Sequence, residues 1–175
     1  TIQSANDAAI TLAEAIGNGS IDEFVKQMNE EAKRLGMKHT HFNNPTGISS
    51  NGHVSTVGDL AILAAALIND YPKYYPLIAN KSFKYNNIEQ PNRKLLLYRD
   101  SSIDGLKTGY SEGAGYHLAA SSKRNNRRIV SILAGAESTE ARASESSKLL
   151  NWALQAFDTP KLYNGGEVIS QVKVY

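Results

Sequence analysis

Apolar side chains recur at helical spacing early in the chain: Phe24, Met28, Ala32 and Leu35 fall on one face. Ser20 and Glu23 form a capping box ahead of them and Gly36 supplies a stop, so the pattern predicts a helix between Ser20 and Gly36. "NDAAITLAEAIG" predicts a short buried helix closed at Gly17 by a left-handed cap. "GDLAILAAALIND" is apolar nearly all round, follows a cap at Ser55 or Thr56 and precedes Pro72, and it predicts an interior helix. Between these helices, "MKHTHFNNPTGISSNGH" carries the turn pairs Asn44-Pro45 and Asn51-Gly52 and reads as a loop.

From Lys81 the period changes. "KSFKYNNIEQ" and "KLLLY" read as strands or extended loops. "IDGLKTGY" is a strand entered after Asp104-Gly105, and "YHLAASS" and "RRIVSILAGA" form a hairpin across "KRNN". "STEARASESSKLLNWALQAF" is a long helix capped by Ser138, with Leu149, Ala153 and Phe157 as its buried stripe and Pro160 beyond it. After Gly165-Gly166 the tail alternates apolar and polar from Val168 to Val174, like the first strand of a new unit. Helices, then antiparallel strands, then a helix give an α+β class with an antiparallel sheet flanked by helices. The division is residues 1–159 as one unit and 160–175 as a linker and first strand of a further unit.

Composition narrows the chemistry. With 41% hydrophobic and 21% charged residues, the chain can build a core. A net charge of +2 gives no footprint for nucleic acid or an anionic membrane, and "KRNNRR" reads as a solvated turn. No cysteine is present, which excludes disulfides, thiol catalysis and cysteine-zinc sites. His39 and His41 have no third ligand nearby in sequence and read as a solvated strand face rather than a metal site. Tyr71, Tyr74 and Tyr75 flank Pro72 and Pro76 and read as plugs of a loop onto the core. No run approaches the length of a membrane span.

A lysine in an apolar strand is expensive unless its charge is used or paired. Lys107-Thr108-Gly109 places one there, just before a glycine-rich turn. Ser4-Ala5-Asn6 is an S-x-N motif at the mouth of a helix. Taken singly, Ser4 reads as a helix N-cap, Lys107 as a snorkelling strand-edge lysine and Arg142 as a solvated helix residue. Together, S-x-N and K-T-G in this order resemble the active-site serine enzymes that recognise β-lactams, the penicillin-binding proteins and serine β-lactamases. "FVKQMNEEAKRLGMKHTHFNNPTG", "STVGDLAILAAALI", "QPNRKLLL" and "DGLKTGYSEGAGYHLAAS" extend the likeness over nearly the whole chain, to the low-molecular-mass D-alanyl-D-alanine carboxypeptidases.

That resemblance implies a partial transpeptidase-like catalytic domain, with residues 160–175 as the linker and first strand of a small C-terminal β domain, and an apparatus with no metal or other cofactor. A serine of an S-x-x-K motif attacks the penultimate D-Ala carbonyl of a peptidoglycan stem peptide. The terminal D-Ala leaves, and water hydrolyses the acyl-enzyme; β-lactams acylate the same serine. Ser4 would relay a proton to the leaving amine, Asn6 would bond the substrate amide, and Lys107 would lie near Ser4. Thr108 would bond the substrate carboxylate, Gly109 would leave room along the strand, and the Tyr110 N–H would supply half of an oxyanion hole. The family often carries His at the Tyr110 position, which bears on the groove rim more than on the backbone donor. Arg142 matches an arginine aimed at the substrate carboxylate, with Arg93 on the same rim.

The one S-x-x-K present, Ser170 to Lys173, sits in the tail, after S-x-N rather than before it. The catalytic Ser and Lys are therefore expected upstream of Thr1, and this chain is expected to be a fragment inactive by itself. A serine β-lactamase would want S-D-N and E-x-x-L-N, and neither occurs. A non-catalytic wall-binding or scaffold protein is the reading from a different class, discriminated by the coding sequence before Thr1. The substrate implies a periplasmic or extracytoplasmic location, with peripheral attachment to the inner membrane through a segment outside this chain.

Overall fold

The computed structural model describes residues 1–160 and 162–172. The chain starts with helices α1 (Asn6–Ile16), α2 (Ile21–Leu35) and α3 (Val57–Asp70), followed by a 3₁₀ segment (Tyr75–Ala79). A small hairpin of β1 (Ser82–Tyr85) and β2 (Ile88–Pro91) precedes a one-turn helix α4 (Leu96–Arg99). Strands β3 (Ile103–Ser111), β4 (Gly115–Arg124) and β5 (Arg127–Ala136) then form an antiparallel sheet in the order β3-β4-β5, and α5 (Thr139–Ala156) crosses it. The α+β expectation holds.

Local chemistry accounts for most element ends. Ser20 Oγ accepts from the Glu23 N–H at 3.2 Å, while the Ser20 N–H goes to the Gly17 carbonyl, so half of the capping box forms. Gly36 closes α2 at φ 80°. Thr56, not Ser55, caps α3, and Ser138 caps α5. Gly17 corrects the expectation of a left-handed cap: its φ is −81°, and a Cβ there would stand 2.0 Å from the Ser20 carbonyl oxygen. Glycine is needed at that position for close approach, and the chain turns left-handed at Asn18 and Gly19 instead.

Two clusters make the core, one on each face of the sheet. Leu96, Leu97, Ile103, Leu118, Ala120, Ala143 and Leu150 pack under α5. Ala64, Tyr75 and Leu106 pack under α3 with Leu67, Ile68, Ala119 and Ile132. Adjacent residues Leu118 and Ala119 enter different clusters, as the period of two requires.

Several expectations need correction. The α5 stripe is Ala143, Ser146 and Leu150 together with Arg142; Leu149 and Phe157 are exposed. Helical periodicity permits either stripe, and the sheet selects the one carrying small residues, which let the helix lie close. "KLLLY" includes α4 rather than a strand, because Asn92 Oδ1 accepts from the Lys94 N–H and turns the chain there. Neither α1 nor α3 is interior: α1 buries only Ala13 and leaves Leu12 62% exposed, and Val57 and Ile62 of α3 are exposed. Helix α1 packs chiefly against α2, and α3 chiefly against β5. Of the three tyrosines near Pro72, only Tyr75 is buried. Strand β3 starts at Ile103, ahead of Asp104-Gly105, with a register shift between Ile103 and Gly105.

The basic turn is a turn, with Asn125 and Asn126 at φ 48° and 64°, but its arginines are not solvated. Arg124 donates to Asp100 and Asn151, Arg127 to the carbonyls of Leu154 and Phe157, and Arg128 to Asp104 and Ser121. These arginines bind the hairpin to the end of α5 and to the approach to β3. In the tail, residues 162–172 form no strand, and Val168, Ile169 and Val172 are exposed. Lys173 of the tail S-x-x-K and the last residues of the expected strand lie outside the described residues. Among the described residues no helix is long and apolar enough to cross a membrane, and no His, Cys, Asp or Glu cluster suits a metal.

Candidate active site

The groove begins at the free edge of β3. Register pairs Lys107 with Ala119 and Thr108 with Leu118, so their side chains leave opposite faces of the sheet. The Lys107 ammonium turns back to the strand edge, donating to the Thr108 carbonyl at 2.5 Å and to Ser4 Oγ at 2.8 Å. That last contact joins S-x-N to K-T-G across 103 residues of chain.

Ser4 is not the N-cap of α1. The cap position is Ala5, with no side-chain bond, and Ser4 adopts φ 60°, a left-handed conformation unfavourable for serine. Its hydroxyl is thereby aimed at β3. Gln3 ties the same segment down, donating to the Pro91 carbonyl at 2.7 Å and accepting from Arg93 Nε at 3.2 Å.

Ser4, Arg93, Thr108, Gly109, Tyr110 and Arg142 line one groove of about 350 Å³. Lys107 reaches its floor through Ser4. Asn6 is exposed on the first turn of α1 and, among the described residues, makes no side-chain hydrogen bond. Thr108 is buried, whereas Tyr110 is exposed with its ring 4.4 Å from that of Tyr116. A Cβ on Gly109 would stand 3.4 Å from His117 Cδ2, so the strand tolerates a side chain with a small adjustment, and glycine leaves that space open.

Arg142 is 7% exposed, against the solvated reading of a lone helix arginine. Its Nη1 donates to the Gly109 carbonyl at 3.1 Å, and the guanidinium lies 5.5 Å from the Tyr116 ring centroid. Burial first, and then the Arg93 charge, hold it below the usual arginine range. Lys107 as a whole residue is exposed, yet desolvation around its ammonium, then Arg93 and Arg142, push its pKa down. Arg93, Lys107 and Arg142 thus converge on a groove whose lining contains no carboxylate. Such a site favours an anionic ligand group.

Sequence reasoning missed Tyr116 and Thr139, which complete the lining, and Lys94, buried beside β3. Tyr116 follows from pairing with Tyr110 once the hairpin register is known. Lys94 gave no signal, because "RKLLLYR" places a lysine where solvent exposure is the ordinary outcome.

A family model described as D-alanyl-D-alanine carboxypeptidase, of the S11 peptidases, matches residues 1–138. The chain is 43% identical over 159 residues to the D-alanyl-D-alanine carboxypeptidase DacC of Escherichia coli, covering 90% of this chain and 40% of that protein. It is 39% identical to DacA of Haemophilus influenzae, covering 99% of this chain and 44% of that protein. The chain therefore spans less than half the length of these curated relatives. Penicillin-binding protein 6B of Escherichia coli superposes with a TM-score of 0.87 at 39% identity, over 95% of this chain and 52% of that one. Penicillin-binding protein D2 of Listeria monocytogenes, in a cefotaxime-bound form, superposes with a TM-score of 0.80 at 32% identity, over 87% and 62%.

Proposed function

Because the chain belongs to the D-alanyl-D-alanine carboxypeptidase family, we propose that it carries the substrate groove of a serine-type D-Ala-D-Ala carboxypeptidase acting on peptidoglycan stem peptides. The observation that supports this most is the 2.8 Å contact from Lys107 Nζ to Ser4 Oγ at the end of a cationic groove. It gives a hydroxyl an ammonium partner beside donors suited to a carboxylate.

In the proposed reaction the nucleophilic serine, with its S-x-x-K lysine, comes from a segment before Thr1 in the full-length protein. Its hydroxyl gives its proton to the S-x-x-K lysine as its oxygen bonds the penultimate D-Ala carbonyl carbon, and the Tyr110 N–H donates to the oxyanion. The C–N bond then breaks, and the departing D-Ala nitrogen takes a proton relayed through Ser4. Lys107 stabilises oxyanion character on Ser4, while Asn6 bonds the substrate amide. Thr108 and Arg142, with Arg93 at the rim, hold the terminal carboxylate, and Gly109 keeps the strand face open. Water hydrolyses the ester, and a β-lactam enters the same acylation step. The substrate places the enzyme outside the cytoplasmic membrane. The exposed apolar residues of the tail support residues 160–175 as the entry to a separate β unit, after a catalytic portion ending at 159.

Intact-mass measurement after incubation with benzylpenicillin tests the reading. The full-length protein gains one penicillin mass, and the 175-residue chain gains none. Ser4→Ala in the full-length protein slows acylation by about 100-fold or more, with folding retained. An adduct on the isolated chain that Ser170→Ala removes, or full-rate acylation by Ser4→Ala, would overturn it.

A further inference from the structure

Arg93 and Lys94 are consecutive and have opposite fates. Arg93 is exposed on the groove rim, while Lys94 is 2% exposed. A lysine at that depth is rare, and desolvating its ammonium is unfavourable unless its donors are used. Among the described residues Lys94 has no carboxylate partner. Its Nζ donates to two main-chain carbonyls, Ile78 at 2.7 Å and Leu106 at 2.9 Å.

The second carbonyl belongs to the residue before Lys107. Among the described residues strand β3 is the edge of its sheet, so one row of its peptide groups has no partner strand there. Groups two residues apart share an edge. The Leu106 carbonyl takes the Lys94 ammonium and the Thr108 carbonyl takes the Lys107 ammonium. The next position in that row is Tyr110, whose N–H the proposed reaction uses. The two lysines therefore occupy the successive edge carbonyls that lead to the oxyanion donor.

The Lys94 backbone is equally fixed. Asn92 is buried; its Oδ1 accepts from the Lys94 N–H at 3.0 Å, and its Nδ2 donates to the Asn80 carbonyl at 2.8 Å. The Asn92 N–H goes to Tyr98 Oη at 2.9 Å. A methionine would fill a site of this size without desolvating a charge, so packing alone does not explain a lysine here.

We infer that Lys94 is a positioning residue for the groove: its buried ammonium, shared between the Ile78 and Leu106 carbonyls, fixes the free edge of β3. Lys107, Thr108 and the Tyr110 N–H are then presented to a carboxylate-ended peptide in a single register. The inference rests on the reading of this groove as the substrate site, and it adds a residue that does not touch substrate. Ile78 makes the anchor double-ended, so the 3₁₀ segment and β3 move as one piece.

The experiment compares full-length wild type, Lys94→Met and Lys94→Gln by hydrogen exchange and by the rate of acylation with a fluorescent penicillin. Exchange over residues 103–111 and 75–79 in Lys94→Met is expected to speed by about tenfold, with α5 unchanged. Acylation is expected to slow by roughly 10- to 100-fold, because reacting groups lose their fixed geometry. Lys94→Gln, which keeps donors but no charge, recovers part of both and remains informative if Lys94→Met fails to fold. Protection lost evenly across the molecule, or exchange and acylation both within about twofold of wild type, overturns the inference. A wild-type protein that never acylates sinks the carboxypeptidase reading, and the exchange comparison then decides Lys94 alone.

Discussion

The two walls of the groove are built differently. The β3 wall stands on a sheet with a core on both faces, and the arginines of the β4–β5 turn bind it to α5. The Ser4 wall hangs from α1, which buries one alanine, and its position depends on bonds made by Gln3 and Ser4 to Pro91, Arg93 and Lys107. One wall is held by volume and the other by a few directional contacts. Deletions of packed apolar side chains in the first should therefore act through stability, and deletions of the directional contacts in the second through the geometry of the site.

The largest effect should come from breaking the packed wall. Leu150 is fully buried under the sheet, and Leu150→Ala should cost about 3 kcal/mol of folding free energy by lost transfer and residual cavity. Denaturant unfolding of the 175-residue chain checks this; a cost near zero would mean that the α5 core is not what carries the wall.

Next comes the junction of the walls. Arg142→Ala in the full-length protein should lower kcat/KM for a D-Ala-D-Ala peptide by roughly 10- to 100-fold. The loss should be much smaller on the same peptide with its terminal carboxylate amidated, since a charge-assisted contact worth about 1.5–3 kcal/mol is then already missing. Equal losses on acid and amide would assign Arg142 to holding Gly109 in place rather than to chain-end recognition.

Lys94 tests the packed wall through pH. Burial, followed by the Lys107 charge, pushes its pKa down to about 8 from the ordinary lysine value of 10.5. Below pH 8 it is charged in both folded and unfolded chains, and the penalty of the buried charge is fully present. Between the two values the unfolded chain binds more protons, so stability rises with pH. Relative to Lys94→Met, wild type should gain up to about 1.4 kcal/mol per pH unit across that window. Parallel stability curves for the two proteins would mean that Lys94 titrates normally.

The smallest effect should be on the hanging wall. Leu12 is 62% exposed, and Leu12→Ala in the 175-residue chain should change stability by less than about 0.5 kcal/mol. A large loss in thermal denaturation would show that α1 is packed more tightly than its exposure indicates.

Legibility follows the same division. Elements governed by local chemistry were readable: Ser20 and Gly36 bracket α2, Ser138 starts α5, and asparagines with positive φ close the hairpin at 125–126. The K-T-G and S-x-N residues were readable as motifs, and the groove gathers all of them but Asn6 within reach. What was not readable depended on partners distant in sequence. The buried face of α5 is chosen by the sheet, so Arg142 and Ser146 are buried while Leu149 is exposed. The apolar composition of α1 and α3 suggested burial, but burial depends on having a neighbour on each side. Arg124, Arg127 and Arg128 looked like solvent-facing charge because, apart from Ser121 beside Arg128, their acceptors lie 22 to 30 residues away in the chain. Lys94 was hidden because carbonyl oxygens leave no mark in a sequence.

Ser4 limits which residues evolution or an engineer can try at this point. A left-handed backbone admits glycine freely and asparagine or aspartate with little difficulty, and it penalises every other side chain. Glycine would relieve the strain and remove the hydroxyl; alanine would remove the hydroxyl and keep the strain. Comparing the two separates the value of the oxygen from the value of the bent backbone that aims it. Threonine, the one other residue with an aliphatic hydroxyl, is β-branched and among the poorest fits to that conformation. Serine is thus nearly isolated among its chemical neighbours here, and the isolation comes from the backbone as much as from the proposed reaction.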